Sequence, residues 1–451
     1  MMFISGVLDS CKKFVEIDTP RGELIASTVF SNEETATAAV RGIYSEIVKQ
    51  INFIGNGGMT LFPGLSADEI VSTSANSTYD PFSTNSLLAN NIRVASNFWQ
   101  KGYFHIYHCN VILENLEAST LLKEDVVTRL SGEVKFLRAF FNFYLANLFG
   151  DVPLVTSSDF RLNARISRSA ENDVYGQIIS DLKDAQNLLP EEYPSVGKVR
   201  ANKWAATALL ARVYLYIKEW TNAEEESTKI INAGSYQIGN INGAFGANGT
   251  ETILEFSGPA SSSINTAEGF TFIPANSTTK PPFSITNSLL NSFETGDLRK
   301  TNWLKSNTVS SVVYFYPYKY KVKDGTAGAT KAENEIVFRL AEQYLIRAES
   351  RVQLNNLTGA QADLNIIRVR AGLPNTNANT EPELTALTEK ERRNELFAEW
   401  GHRWLDLKRT GRADIILSLL KSPNWQLTDM LYPIPQVEIQ TNPMLTQNPG
   451  Y

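Results

Sequence analysis

Residues 209–231, LLARVYLYIKEWTNAEEESTKII, and residues 345–372, LIRAESRVQLNNLTGAQADLNIIRVRAG, carry the pattern that decides the fold. In the first stretch a small residue, Ala211, stands twelve positions before another, Ala223. In the second, Ala348 stands twelve positions before Ala360. That interval suits a helix, a tight turn and a second helix, with the alanines where the helices approach too closely for a large side chain. The spacing predicts helix pairs at 202–233, as Asn202 to Ile217 and Thr221 to Ala233, and at 341–371.

Two small positions at this separation match the tetratricopeptide (TPR) unit, although unrelated helix hairpins remain an alternative for the same spacing. Such units cannot bury their apolar faces alone, so at least three pairs must stack. Segments 93–149 and 172–189 supply further helices, the second begun by an Asn or Asp cap, with a loop at 150–171 between them. Glu34 to Asn52 has helical spacing, and IGNGGMTLFPGLS at 54–66 breaks it with Gly and Pro. Ser72 to Asn91 reads as a long loop. Residues 235–332 are rich in Gly, Ser, Thr and Asn, with β-like runs ETILEF and SVVYFYPYKY; helices resume at Ile336.

In FRLAEQYLIRAESR, 338–351, the apolar Leu340, Tyr344, Leu345 and Ala348 share one face and Arg347 and Arg351 lie on another. KERRNELFAEWGHRWLDLKR, 390–409, reads as one amphipathic helical segment. The expected architecture is mainly α: a TPR-like helical scaffold carrying irregular loops and short β-hairpins that form the ligand face. It divides into 1–11, 12–234, a loop-rich insertion at 235–335, and 336–451, packed as one globular unit.

The chain has 451 residues, 43% hydrophobic and 10% aromatic, with a net charge of −6. That is a folded composition, and no segregated basic patch points to nucleic acid. No run approaches the ~18 consecutive apolar residues that span a bilayer. Of the two cysteines, Cys11 follows Leu8 and Ser10 in a pattern resembling a bacterial lipobox, short of a full signal peptide; an exposed N-terminal thiol is the other reading.

Five stretches together resemble the SusD/RagB family: Trp99, Tyr103, Ile106 and Asn110; GEVKFLRAFFNFYLANLFGDVPLV at 132–155; RANKWAATALLARVYLY at 200–216 with the Trp220 helix; FRLAEQYLIRAES at 338–350 with RVRAGLP at 368–374; and ERRNELFAEWGHRWLDLKR at 391–409 with YPIP and QNPGY. The resemblance covers nearly the whole chain. It implies a right-handed TPR scaffold whose irregular loops build a shallow sugar site, capping a SusC-type TonB-dependent outer-membrane transporter. It also implies a lipid on Cys11 and attachment to the outer membrane. Lys12 and Lys13 after the cysteine depart from the acidic residues that often signal surface export in such proteins.

A sugar site needs flat aromatic faces plus a few groups that hydrogen-bond hydroxyls. Loop 55–92 offers Asp68, Tyr79 and Phe82, with Trp99 just beyond; loop 270–323 offers Trp303 and a strand with Tyr314, Tyr316 and Tyr318 on one side. Trp303, flanked by polar residues, is either an exposed platform or a ring covering the scaffold, and Trp99 is either a ligand contact or core. Trp204, Trp220, Trp400 and Trp404 read as packing.

His105, His108 and Cys109 lack a second cluster to complete a metal site. No cofactor motif occurs, and no isolated carboxylate pair suits glycoside hydrolysis. Arg392, Arg393, Glu395, Glu399 and Arg403 read as helix-surface ion pairs. The expected function is non-enzymatic: glycan binding and delivery to the transporter. A TPR-type peptide adaptor is the alternative, and a glycosidase the third reading.

Overall fold

The computed structural model describes residues 26–451. Cys11 and the segment 1–11 lie outside them. Among the described residues twelve helices have eight or more residues: α1 (Glu33–Ile47), α2 (Gly58–Ser66), α3 (Lys101–Ala118), α4 (Glu124–Phe149), α5 (Glu171–Leu188), α6 (Lys203–Tyr216), α7 (Trp220–Asn232), α8 (Leu340–Gln353), α9 (Leu357–Arg370), α10 (Glu381–Leu396), α11 (His402–Arg409) and α12 (Ala413–Leu420). Helices α3 to α9 pack each against the next, and α10 returns onto α8. This mainly α, TPR-like arrangement matches the expectation.

The two quoted stretches fold identically. Ala211, Ala223, Ala348 and Ala360 have no exposed surface. Each pair turns through three residues with the middle one left-handed, Lys218 at φ 63° and Asn355 at φ 59°. The turns share their backbone bonds: Glu219 donates to the carbonyl of Tyr214 at 2.9 Å, and Asn356 to that of Arg351 at 2.8 Å. Each next helix opens alike, Ala223 donating to Glu219 and Ala360 to Asn356.

Helix α4 is apolar on nearly every side, and its residues 132–149 are almost continuously buried. Its last carbonyls are capped from far along the chain. Lys408 Nζ reaches the carbonyl of Asn147, the Tyr432 amide donates to that of Leu148 at 2.8 Å, and Asn448 Nδ2 donates to that of Phe149 at 2.9 Å. Without such partners the carbonyls of Asn147 and Leu148 would be buried and unpaired.

Several elements differ from the sequence reading. Residues 58–66 form the buried helix α2 rather than a break. Pro63 lacks a donor, so the Met59 carbonyl receives no helical bond from it; a Cβ on Gly401 would approach that oxygen to 2.8 Å. The 390–409 segment is two helices, because Ala398, Trp400 and Gly401 all have positive φ. Helix α5 is capped not by its own Asn or Asp but by Asp151, which accepts from the Glu171 amide at 2.9 Å.

Strands are short and paired in twos: β1 (Ile70–Ser72) with β3 (Phe283–Ile285), β2 (Thr252–Phe256) with β6 (Glu335–Arg339), and β4 (Leu304–Val309) with β5 (Val312–Pro317), all antiparallel. Residues 335–339 are thus a strand, and helix resumes at Leu340. Ile336, Val337 and Phe338 are all buried, so the continuous apolar run reflects a two-sided strand rather than a helix.

Candidate functional site

In the region between Ser235 and Glu335, the hairpin β4–β5 exposes its turn and the start of β5. Its turn residues, Ser310 and Ser311, both have positive φ, the geometry that matches the twist of paired strands. Asn307 lies opposite Tyr314, and Lys305 opposite Tyr316. Asn307 Nδ2 donates to the carbonyls of Asn276 at 2.9 Å and Thr279 at 2.7 Å, tying the hairpin to the polar loop before β3. That loop is tied to the segment after β1 in turn: the Thr73 amide donates to Pro282 at 3.1 Å, and Lys280 Nζ reaches the Thr73 carbonyl.

Half-buried tyrosines line this rim. Lys280 Nζ sits 5.1 Å from the Tyr314 ring centre, and Tyr318 lies beneath both Lys305, at 4.8 Å, and Lys321, at 4.3 Å. Tyr79 is also half-buried and packs edge-on to Phe283 at 4.9 Å. The arrangement is a shallow surface with ring faces, ammonium groups and exposed Ser, Thr and Asn. These groups can meet a hydroxyl-rich ligand.

The remaining sequence candidates lie deeper. Trp303 is fully buried and is not a platform: its Nε1 donates to the Ile241 carbonyl at 2.9 Å, and its ring packs edge-on to Phe245. Lys319 and Arg370 cover it at 4.8 and 5.1 Å. The polar neighbours in sequence are thus its ionic surroundings in the core. Phe82 packs on Phe62 at 4.6 Å with no exposed surface. Tyr316 is buried beside Tyr318, 6.1 Å centre to centre.

Trp99 is buried against Tyr103 and Phe149, each at 5.1 Å, with one edge on a separate open groove walled by Tyr107 and Phe160. Asp68 is buried too; Arg403 Nε donates to it at 2.7 Å and Arg393 Nη2 at 2.7 Å. Burial works to raise its pKa, but the two guanidinium groups prevail and hold it below the usual carboxylate value. Its neighbour Glu69 lacks such pairing, and burial, reinforced by Asp68, pushes it up to about 8.

The charged face expected on the helix surface is buried. Arg339 donates from Nε and Nη2 to Glu399, both at 2.8 Å, and pairs with Glu395. Arg299 joins Asp297 and Glu391, each at 2.8 Å, and Lys319 donates to the Glu395 carbonyl at 2.7 Å. The sign alternation that suggests a solvated helix face also serves an internal network, and sequence alone does not separate the two. His105 stacks on Phe141 at 4.4 Å, and Cys109 is a buried thiol. Among the described residues no group of three or more His, Cys, Asp or Glu converges on a metal position.

Two family models match the chain: one described as "Starch-binding associating with outer membrane" at residues 65–215, the other as the SusD family at 285–451. A SusD-like protein, P25, of Formosa agariphila is 28% identical across 98% of this chain and 97% of its own length. A laminarin-binding SusD-like protein of known structure is 25% identical with a TM-score of 0.79, covering 93% of this chain and all of that one. A SusD superfamily protein of Bacteroides vulgatus superposes with a TM-score of 0.84 at 24% identity, over 94% of this chain and 100% of the other. On the matched segments and the shared scaffold, the chain belongs to the SusD/RagB family.

Proposed function

We propose that the protein binds a glycan on the hairpin rim and delivers it to a SusC-type TonB-dependent transporter at the outer membrane, held there by an acylated Cys11. The observation that carries the reading is the set of half-buried tyrosines, Tyr314, Tyr318 and Tyr79, on polar loops tied together by Asn307, Thr73 and Lys280. Ring faces of this kind stack on the apolar C–H faces of sugars, and the surrounding amides and ammonium groups meet hydroxyls. The family membership and the laminarin-binding relative support the same ligand class.

The reading is non-enzymatic. Among the described residues, the carboxyls of Glu268 and Glu335 lie together but buried in the core, and the Asp297, Glu391, Glu395 and Glu399 carboxylates are engaged by arginines. The carboxylates that line a cleft, Glu349, Glu389 and Asp406, are each paired with an arginine, which does not suit the free acid and base of glycoside hydrolysis.

The test is titration of the protein against a panel of neutral polysaccharides that includes laminarin and starch, repeated with Tyr314→Ala and Tyr318→Ala. Loss of a central aromatic anchor should weaken binding by about 1–3 kcal/mol with an unchanged melting temperature. Glycan binding that survives both substitutions would move the site off the hairpin, and a panel with no ligand at all would defeat the reading. Recovery of shortened glycan after incubation would contradict its non-enzymatic part.

A further inference from the structure

Where α10 and α11 face the turn of the α6–α7 pair, a cleft of about 420 Å³ opens far from the hairpin rim in sequence and shares no residue with it. Lys218, Arg392, Arg403, Arg409 and Arg412 line it, against the carboxylates of Glu349, Glu389 and Asp406. A neighbouring depression of about 280 Å³ shares Glu389, Arg403 and Arg412 and adds two cations, Lys390 and Arg393, with one carboxylate, Asp68. Cations therefore exceed carboxylates throughout the cleft, although the chain as a whole carries a net charge of −6.

The internal pairs do not use every donor. Arg392 is 2% exposed and gives Nε and Nη2 to Asp406 at 2.8 and 3.0 Å, but its Nη1 has no hydrogen-bond partner. Arg393 likewise leaves Nε unpartnered. A buried guanidinium N–H without an acceptor is costly, and guanidinium geometry favours a planar or tetrahedral oxyanion. The half-buried Trp220 forms part of the wall, with the exposed Thr385 at the mouth.

We propose that this cleft binds an acidic saccharide unit, its carboxylate or sulfate group received by the Arg392 side of the cleft and its ring placed against Trp220. The volume suits one sugar unit, within the range of small-ligand pockets. A carboxylate and a sulfate ester present the same chemistry to the arginines, and the ligand arms below tell them apart.

The experiment is calorimetric titration of the protein with glucuronate, glucose 6-sulfate, inorganic sulfate and glucose. At least one acidic sugar should bind roughly tenfold or more tightly than glucose, and its affinity should fall with added salt. Glucuronate binding alone identifies a carboxylate site; glucose 6-sulfate binding alone identifies a sulfate-ester site. Thr385→Glu brings a negative charge to the mouth without touching a buried pair, and should weaken the acidic sugar about tenfold at an unchanged melting temperature, whereas Thr385→Lys should strengthen it. Trp220→Ala should weaken the acidic sugars and leave inorganic sulfate unchanged. Equal binding of glucose and the acidic sugars, binding of inorganic sulfate alone, or indifference to Thr385→Glu would overturn the proposal. Glucose also suits the hairpin rim, so the titrations are made on the Tyr314→Ala, Tyr318→Ala double variant, which reads the cleft alone and keeps failure here distinct from failure of the hairpin reading.

Discussion

In the helix pairs 203–232 and 340–370, order comes from repetition: alanines at fixed intervals let helices touch, and the two turns share their hydrogen bonds. In the segment 241–339 no period repeats. There Trp303 lies under Lys319 and Arg370, and Arg299 and Arg339 pair with carboxylates of α10 and of the bend that follows it. The helix pairs hold buried ion pairs too, Arg212 with Glu342 and Arg347 with Asp363, so the difference is that buried charge is joined by a repeating shape in one region and acts without one in the other. Shape tolerates small changes gradually; a buried charge robbed of its partner does not.

The sharpest way to break this contrast is Arg339→Ala. It removes the cation shared by Glu395 and Glu399, leaving them to Arg370, Arg299 and Lys319, and should cost about 3–5 kcal/mol, read by denaturant unfolding. Trp303→Ala should follow closely at about 3–5 kcal/mol, leaving a cavity and an unmatched Ile241 carbonyl. If instead Trp303→Ala kept its melting temperature and lost only glycan binding, the ring would belong to a ligand face.

Ala348→Leu probes the repetitive half. Overpacking against α9 should cost about 1–3 kcal/mol, and a fully stable variant would argue against close helix approach. The smallest effect at pH 5 concerns Glu69. Its folded pKa, near 8, lies above the unfolded value of about 4.3, so the folded state keeps a proton that the unfolded state has released. Its contribution is complete below pH 4.3 and is lost as the pH rises to 8. Glu69→Gln should therefore stabilise by about 1 kcal/mol at pH 5, the gain growing towards pH 8; a pH-independent difference would refute the assignment.

The helix pairs were legible because a twelve-residue interval between small residues has few structural meanings, and the strands at 252–256 and 312–317 because alternating or β-branched runs do. Helix α2 was hidden by Gly57, Gly58, Pro63 and Gly64, residues that usually end helices; here the three glycines leave room for Ala267, the Phe53 carbonyl and the Ile70 side chain. The bend at 398–401 was hidden because nothing in FAEWGH except Gly401 signals positive φ. Within the candidate site, Tyr79, Tyr314 and Tyr318 were placed in surface loops by their sequence context. Trp303 has the same polar context, yet its neighbours fold over it, because charged residues flank a core ring and an exposed ring alike. The oxyanion cleft was illegible, since its arginines come from residues that otherwise read as ordinary helix-surface pairs.

The long-range capping of α4 bears on when the protein can become native. The carbonyls of Asn147 and Leu148 wait for Lys408 and Tyr432, and that of Phe149 has a 3.5 Å bond from Arg168 Nη2 before the closer one from Asn448 arrives. During synthesis, which proceeds at roughly 5–20 residues per second, some 260 to 300 residues must be added before those acceptors are met, a delay of tens of seconds. Throughout that interval the 26-residue helix α4 has an unfinished end, which delays the locking of the scaffold. Closure falls instead to the residues made among the last, and a chain released early would present α4 as a point of misassociation rather than as a core.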